Sequence, residues 1–383
     1  MFPYGKRISK SIKNQNISVS NSDTYVAKIG IVNFRNYTQS SFEFPNCPIG
    51  IVGNNGIGKT NILEALSMFQ PGRGIRSVRL QEMIHKNKNS FGLNLKLIKE
   101  NNEYLFGTSF NKNLSKSRRV KLNGNLISPL SLTKYLGIVS LTPLMDKIFI
   151  ESPSSRRRLM DKIVWIFISE HAANIRTYEK LIRERNNLLK TNTVDNNWFK
   201  NIEEQLVKYG FKIIEARKKV LSLLTDEIDL NSKFFPKASF SIIGEVEDIF
   251  HTQKNIEEIK EIYIKTLHDS RKADYYKGVT NFGPHRSDLE VYYNKKDMLA
   301  SKCSTGEQKS ILISIILSVC KAYKKYLFSS PILLLDEVFA HLDLDKKKAL
   351  SLEIESLKIQ VFMTGINEMD FMTFNKNSYI MKL

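Results

Sequence analysis

Eight consecutive residues, Gly53-Asn54-Asn55-Gly56-Ile57-Gly58-Lys59-Thr60, match G-x-x-x-x-G-K-[ST] at every position. Glycines let a backbone wrap so that successive N–H groups point at phosphate oxygens. Lys59 is then expected to reach the β- and γ-phosphates of a nucleoside triphosphate such as ATP. The Thr60 hydroxyl is expected to hold Mg²⁺. Far along the chain, Asp336 and Glu337 stand side by side after an apolar run. The expected division of labour is Asp336 holding Mg²⁺ through water and Glu337 orienting and deprotonating the attacking water. Such a pair can also simply solubilise a strand end; the distant lysine is what favours hydrolysis. Between them, Ser304-Thr305-Gly306-Glu307 forms a polar turn ahead of a nearly continuous apolar segment, a second anion-binding device or an ordinary N-cap.

Each group needs an element behind it. The loop requires a strand before it and a helix after it. Residues 49–52 are apolar, and Ile62, Leu66 and Phe69 then recur at helical spacing. Residues 332–335 read as a buried strand that delivers the acidic pair at its end. The Ser304 turn opens a helix expected over about 310–321. One chain does not need two anion devices for one triphosphate, whereas two chains do. The γ-phosphate on one subunit's glycine loop would be capped by Ser304, Thr305, Gly306 and Glu307 of the other. Asp343, a few residues past the acidic pair, is placed to contact the neighbouring site.

The remaining bulk properties narrow the class. A chain of 383 residues with 42% hydrophobic and 25% charged content suits two or three globular domains. A net charge of +19 favours a polyanionic partner, although lysine-rich composition can also reflect the genome. No run approaches the roughly 20 apolar residues of a membrane span, and residues 1–22 lack the apolar core of a secretory signal. Cys47, Cys303 and Cys320 form no disulfide framework, so a reducing, cytoplasmic setting is expected.

The run from Cys303 to Glu307 resembles the L-S-G-G-Q element of ABC-type ATPases, with cysteine for the leucine and glutamate for the glutamine. Further segments make the resemblance more specific. YVAKIGIVNFRNY (25–37), GRGIRS (72–77), LTPLMDKIFIESPSSRRRLMD (141–161), NFGPHRSDLEV (281–291), CSTGEQK and LLLDEVFAHLD together resemble the RecF DNA replication and repair family. The resemblance implies an ATP- and Mg²⁺-dependent DNA-binding protein acting at single-strand gaps and single-strand/duplex junctions. It also implies ATP-dependent homodimers, and mediator proteins and a recombinase as partners. The alternative is an ABC-type ATPase subunit of another system, SMC-like or transporter-associated. Thr364 stands where many ABC ATPases place a γ-phosphate-sensing histidine, so slow, DNA-stimulated hydrolysis is expected. No acidic metal cluster follows it, so no nuclease activity is expected. Gln81 is a candidate for the glutamine loop, or an exposed helical glutamine.

The expected fold is α/β, an ABC-type P-loop ATPase head with an inserted, mainly helical lobe. The expected divisions are a flexible extension over 1–22, head over 23–151, helical lobe over 152–279, and head again over 280–383. Phe199, Ile202, Leu206, Tyr209, Ile213, Ala216, Val220 and Leu223 recur at three- and four-residue steps, and Ile175, Tyr178, Ile182 and Leu189 continue the rhythm upstream. The seam predicts an antiparallel hairpin, short and SMC-like, of about 30 residues per helix, or two core helices of a compact lobe. Arg156, Arg157 and Arg158 are candidate DNA-phosphate contacts or a solvated helix start. Arg35 is a candidate phosphate contact, and Arg286 could serve nucleotide, DNA or fold. No base-reading element is visible, so binding should follow backbone and shape.

Overall fold

The computed structural model describes residues 22–191, 196–231, 234–252, 255–340, 342–374 and 378–383. The expected extension (all but Ser22), most of the turn between the two hairpin helices, and His341 lie outside the described residues. Two compact units emerge. One holds the described residues up to Met145 and from Ile316 onward, and the other holds Asp146–Ile315.

The first unit carries two sheets. Strands β1 (Thr24–Phe34), β2 (Tyr37–Glu43), β4 (Ser90–Lys99), β5 (Asn102–Asn111), β6 (Arg119–Leu122) and β7 (Asn125–Ile127) form an antiparallel sheet in the order β2-β1-β4-β5-β6-β7. Alternating burial along β4 shows one face in the core and one outside. Strands β3 (Ile49–Val52), β8 (Ile138–Leu141), β12 (Ile332–Leu335), β13 (Val361–Gly365) and β14 (Tyr379–Lys382) form a parallel sheet in the order β14-β3-β13-β12-β8. Every residue of β3, β8, β12 and β13 is buried, which is why these strands read as continuous apolar runs. Helix α1 (Lys59–Ser67) leaves β3 through the glycine loop. Ile62, Leu63 and Leu66 of α1 share one core with Ile29 and Phe34 of β1, Ile51 of β3 and Leu334 of β12. Register aligns the carboxyl ends of the parallel strands: Gly365 pairs with Val52, and Leu335 with both Met363 and Leu141. In open parallel sheets that edge is where ligands bind. Helix α9 (Leu344–Leu357) links β12 to β13.

The second unit is mainly helical. It contains α2 (Pro153–Phe167), α3 (His171–Lys190), α4 (Asn196–Asn231), α5 (Glu245–Thr252), α6 (Ile256–Asp269) and α7 (Arg271–Lys277). A small sheet of β11 (Met298–Leu299), β10 (Asp288–Tyr293) and β9 (Ala238–Ile243) accompanies them. Helix α8 (Thr305–Leu327) begins here and continues past Ile315. The hairpin is unequal, 20 residues in α3 against 36 in α4, rather than two helices of about 30. The helical run breaks at 168–170, and His171, the first residue of α3, bonds Asp161 of α2 at 2.9 Å. The expected seam on α4 is buried at Phe199, Ile202, Leu206, Ile213, Ala216 and Val220. A second stripe, Val207, Phe211 and Ile214, is buried in the same core as Val246 of α5 and Ile259 and Tyr263 of α6. The hairpin is therefore the backbone of a compact lobe.

Candidate nucleotide site

The glycine loop is shaped by glycines at Gly56 and Gly58, whose φ angles of 81° and 117° suit no ordinary side chain. A Cβ on Gly58 would also lie 2.7 Å from the Asn36 amide and 2.8 Å from the Tyr37 hydroxyl. Those two side chains clamp the loop: Asn36 donates to the Ile57 carbonyl at 2.9 Å, and Tyr37 to the Gly58 carbonyl at 3.3 Å. Asn61 of α1 in turn donates to Asn36 at 2.7 Å. Residues 54–57 are exposed, while Lys59 is buried, its Nζ donating to the carbonyls of Gly53 at 2.5 Å and Asn54 at 3.1 Å. The ammonium thus lies under the loop whose N–H groups can take phosphate oxygens.

Across the strand ends, Thr60 donates its hydroxyl to Asp336 Oδ1 at 2.9 Å. Thr364, at the end of β13, donates to the same oxygen at 2.8 Å. The Thr364 hydroxyl also accepts the Glu337 backbone N–H at 2.8 Å. Asp336 is buried and Glu337 exposed, so the first carboxylate is held inside the sheet edge and the second is presented outward. Glu337 adopts a left-handed φ of 50°, a conformation that costs of order 1–2 kcal/mol for a non-glycine residue. The Thr364 hydrogen bond offsets part of that cost. The sequence brings Lys59, Thr60, Asp336 and Glu337 together as expected in space. The positioning of both acids by Thr364, and of the loop by Asn36 and Tyr37, depends on strand pairing that no local spacing reveals.

Other expected site residues have other occupations. Arg35 forms a bidentate pair with the buried Glu64 carboxylate at 2.6 and 2.7 Å and donates to the Glu82 carbonyl. Asp343 caps α9 by accepting the Lys346 N–H at 2.8 Å, which holds its pKa below the usual carboxylate range. Gln81 is exposed in a short 3-10 turn. In the second unit, Glu307 accepts both the N–H and the hydroxyl of Ser304, forming a capping box at the start of α8. Lys296 Nζ sits 2.6 Å from its other oxygen. That ion pair, with the two Ser304 bonds, lowers the Glu307 pKa to about 2. Its side chain is thereby spent on the turn, and the same bonds take up the Ser304 N–H and hydroxyl and the Lys296 ammonium. Arg156 is paired with Asp288 at 2.6 Å, and Arg157 donates to the Ser287 carbonyl at 2.6 Å. Arg158 is the exposed member of the three.

The family description "AAA domain, putative AbiEii toxin, Type IV TA system" matches residues 49–364, from the loop strand to Thr364. The DNA replication and repair protein RecF of Rickettsia bellii is 38% identical over 353 residues, 92% of this chain and 97% of that protein. The chain belongs to the RecF family. RecF of Rickettsia typhi is 37% identical over 362 residues, 94% of this chain and 99% of its own length. Among solved structures, the recombination mediator protein RecF with ATPrS in the RecFOR pathway superposes with a TM-score of 0.80 at 24% identity, covering 91% of this chain and 94% of that one. The Smc head domain of Pyrococcus furiosus superposes at 0.51 with 18% identity, covering 92% of both chains. These two place the chain on the ABC-type ATPase head fold. Among the described residues, no helix is long and apolar enough to cross a membrane.

Proposed function

We propose that this RecF-family protein is a DNA replication and repair ATPase that binds DNA when two copies close on ATP. The observation that carries the reading is the chain Thr60–Asp336–Thr364–Glu337, which joins the glycine loop to a presented carboxylate. Residues 54–58 and Lys59 would bind the triphosphate. The hydroxyl of Thr60 and the Asp336 carboxylate are hard oxygen donors in contact, a set that fits Mg²⁺. When bound, Mg²⁺ would neutralise charge on the transferring phosphoryl group. Glu337, facing outward, would orient and deprotonate the attacking water.

The capping box at Ser304 supports the second half of the reading. A helix N-terminus with a pre-formed, polar turn can cap the γ-phosphate on a second copy. Closing the pair would bring two highly basic chains onto the phosphate backbone of DNA, at single-strand gaps or junctions, and assist mediator proteins in loading the recombinase. Switching energy comes from the differential affinity of ATP for the closed pair. Hydrolysis would be slow and raised by DNA, without nuclease action. The test is DNA retention and sedimentation at fixed salt for wild type, Glu337→Gln and Lys59→Ala. Glu337→Gln should accumulate an ATP-bound dimer on DNA, and Lys59→Ala should lose the ATP response. Equal retention by all three sinks the gating mechanism.

A further inference from the structure

Helix α7 carries the run RKADYYKG (271–278). Lys272, Tyr275 and Tyr276 stand at i, i+3 and i+4, and Val279 follows the helix cap, continuing the spacing of one helical stripe. A stripe of that kind ordinarily faces a core. This one faces outward: Tyr275 is 45% exposed, Tyr276 75% and Val279 43%. The two rings meet edge to face with centroids 5.3 Å apart.

The opposite side of the helix explains the orientation. Asp274 is buried, and its carboxylate takes Arg185 at 2.7 Å, Ser270 at 3.0 Å and the Asn281 N–H at 3.1 Å. That anchor fixes the rotation of α7 and turns the tyrosines to solvent. Asn281 also accepts the Arg286 guanidinium. Arg286 is the exposed residue of GPHRSDL, a segment otherwise half-buried or buried, and Asn281 holds it on the anchor side. Asp274 is the one acid of residues 271–286, and it is consumed by the anchor. Beside the rings the helix itself offers the exposed Lys272 and Lys277.

Two exposed aromatic rings with two exposed lysines on the same helix suit a polyanion that has flat faces to stack. Unpaired nucleic acid has them; in a duplex the base faces are already occupied by neighbouring bases. We propose that the α7 surface, Tyr275 and Tyr276 with Lys272 and Lys277, is a single-strand contact that stacks unpaired bases. It rests on the DNA-binding reading above and adds which surface meets the unpaired strand.

The experiment compares full-length protein, with ATP, on an oligo-dT strand and on a blunt duplex across a salt series. Tyr275→Ala/Tyr276→Ala should weaken oligo-dT binding roughly 5- to 100-fold. Duplex affinity and basal ATPase should stay unchanged, and Tyr275→Phe/Tyr276→Phe should bind as wild type. Lys272→Gln/Lys277→Gln should shallow the salt dependence on oligo-dT by about 1.4 in the log–log slope, near 0.7 per cation. Wild-type binding of oligo-dT by the alanine pair overturns the proposal. So does an equal loss on strand and duplex, or a defect confined to association with another protein. Wild type binding neither nucleic acid would instead overturn the DNA reading itself.

Discussion

One hydroxyl, that of Thr364, donates to the first acid of the site and accepts the backbone N–H of the second. Thr364→Val keeps the shape and removes both bonds. Turnover should fall about 10- to 100-fold, the scale of a buried polar group left unpaired, while fluorescent-nucleotide affinity stays within about twofold. Thr364→Ser should restore turnover. His285 gives a pH prediction. Burial is the main cause that pushes its pKa down from 6.5 to about 4. Its Nε2 bonds the Thr280 carbonyl at 2.9 Å, and its Nδ1 lies 3.1 Å from the Tyr178 hydroxyl. The unfolded chain takes up the proton first, so this stabilisation is complete above pH 6.5 and drains away as pH falls toward 4. Urea midpoints at pH 7.5 and 5 should drop more for wild type than for His285→Gln. At this scale the loop and acidic pair were legible because their chemistry rests on local spacing. The roles of Thr364, Asn36 and Lys296 were not, because each acts on a residue distant in sequence. Arg35 and Glu307 stood at the right place in the sequence, yet their partners Glu64 and Lys296 take them up.

At the scale of elements, the helical unit is stitched by charge as much as by apolar packing. Arg185 is fully buried between α4 and α7, donating to Glu203, Asp274, the Thr280 hydroxyl and the Leu267 carbonyl. Arg185→Met would strand the buried Asp274 carboxylate, while Glu203 keeps its bidentate pair with Arg271, at a cost of about 3–5 kcal/mol. Chemical denaturation followed by circular dichroism should register that loss. Adding Asp274→Asn should recover part of it, because the stranded charge is then gone. The hairpin's periodicity was legible, since it follows from apolar spacing along one helix. Its unequal lengths were not, because no glycine or proline marks the break between α2 and α3 at 168–170. The antiparallel sheet of the first unit also escaped sequence reading. Beyond the segment 25–37, its strands lie among polar residues and carry no motif.

For the whole molecule, the ATPase head was legible from the glycine loop and the acidic pair because the parallel sheet places both at one edge. A chain this basic should bind DNA with a steep salt dependence, in wild type and in Glu337→Gln alike, if phosphate contact dominates. A flat response between about 50 and 200 mM salt in a retention assay would argue against a backbone-reading surface.

The loop strand β3 has a consequence for biosynthesis. Its neighbours in the sheet are β13 and β14, both encoded roughly three hundred residues later. At ribosomal rates of about 5–20 residues per second, the IGIV segment waits on the order of 15–60 s with neither flank hydrogen-bonded. A nascent chain cannot assemble this triphosphate cradle until β13 and β14 have been made. During that interval the segment is a natural client for a holding chaperone.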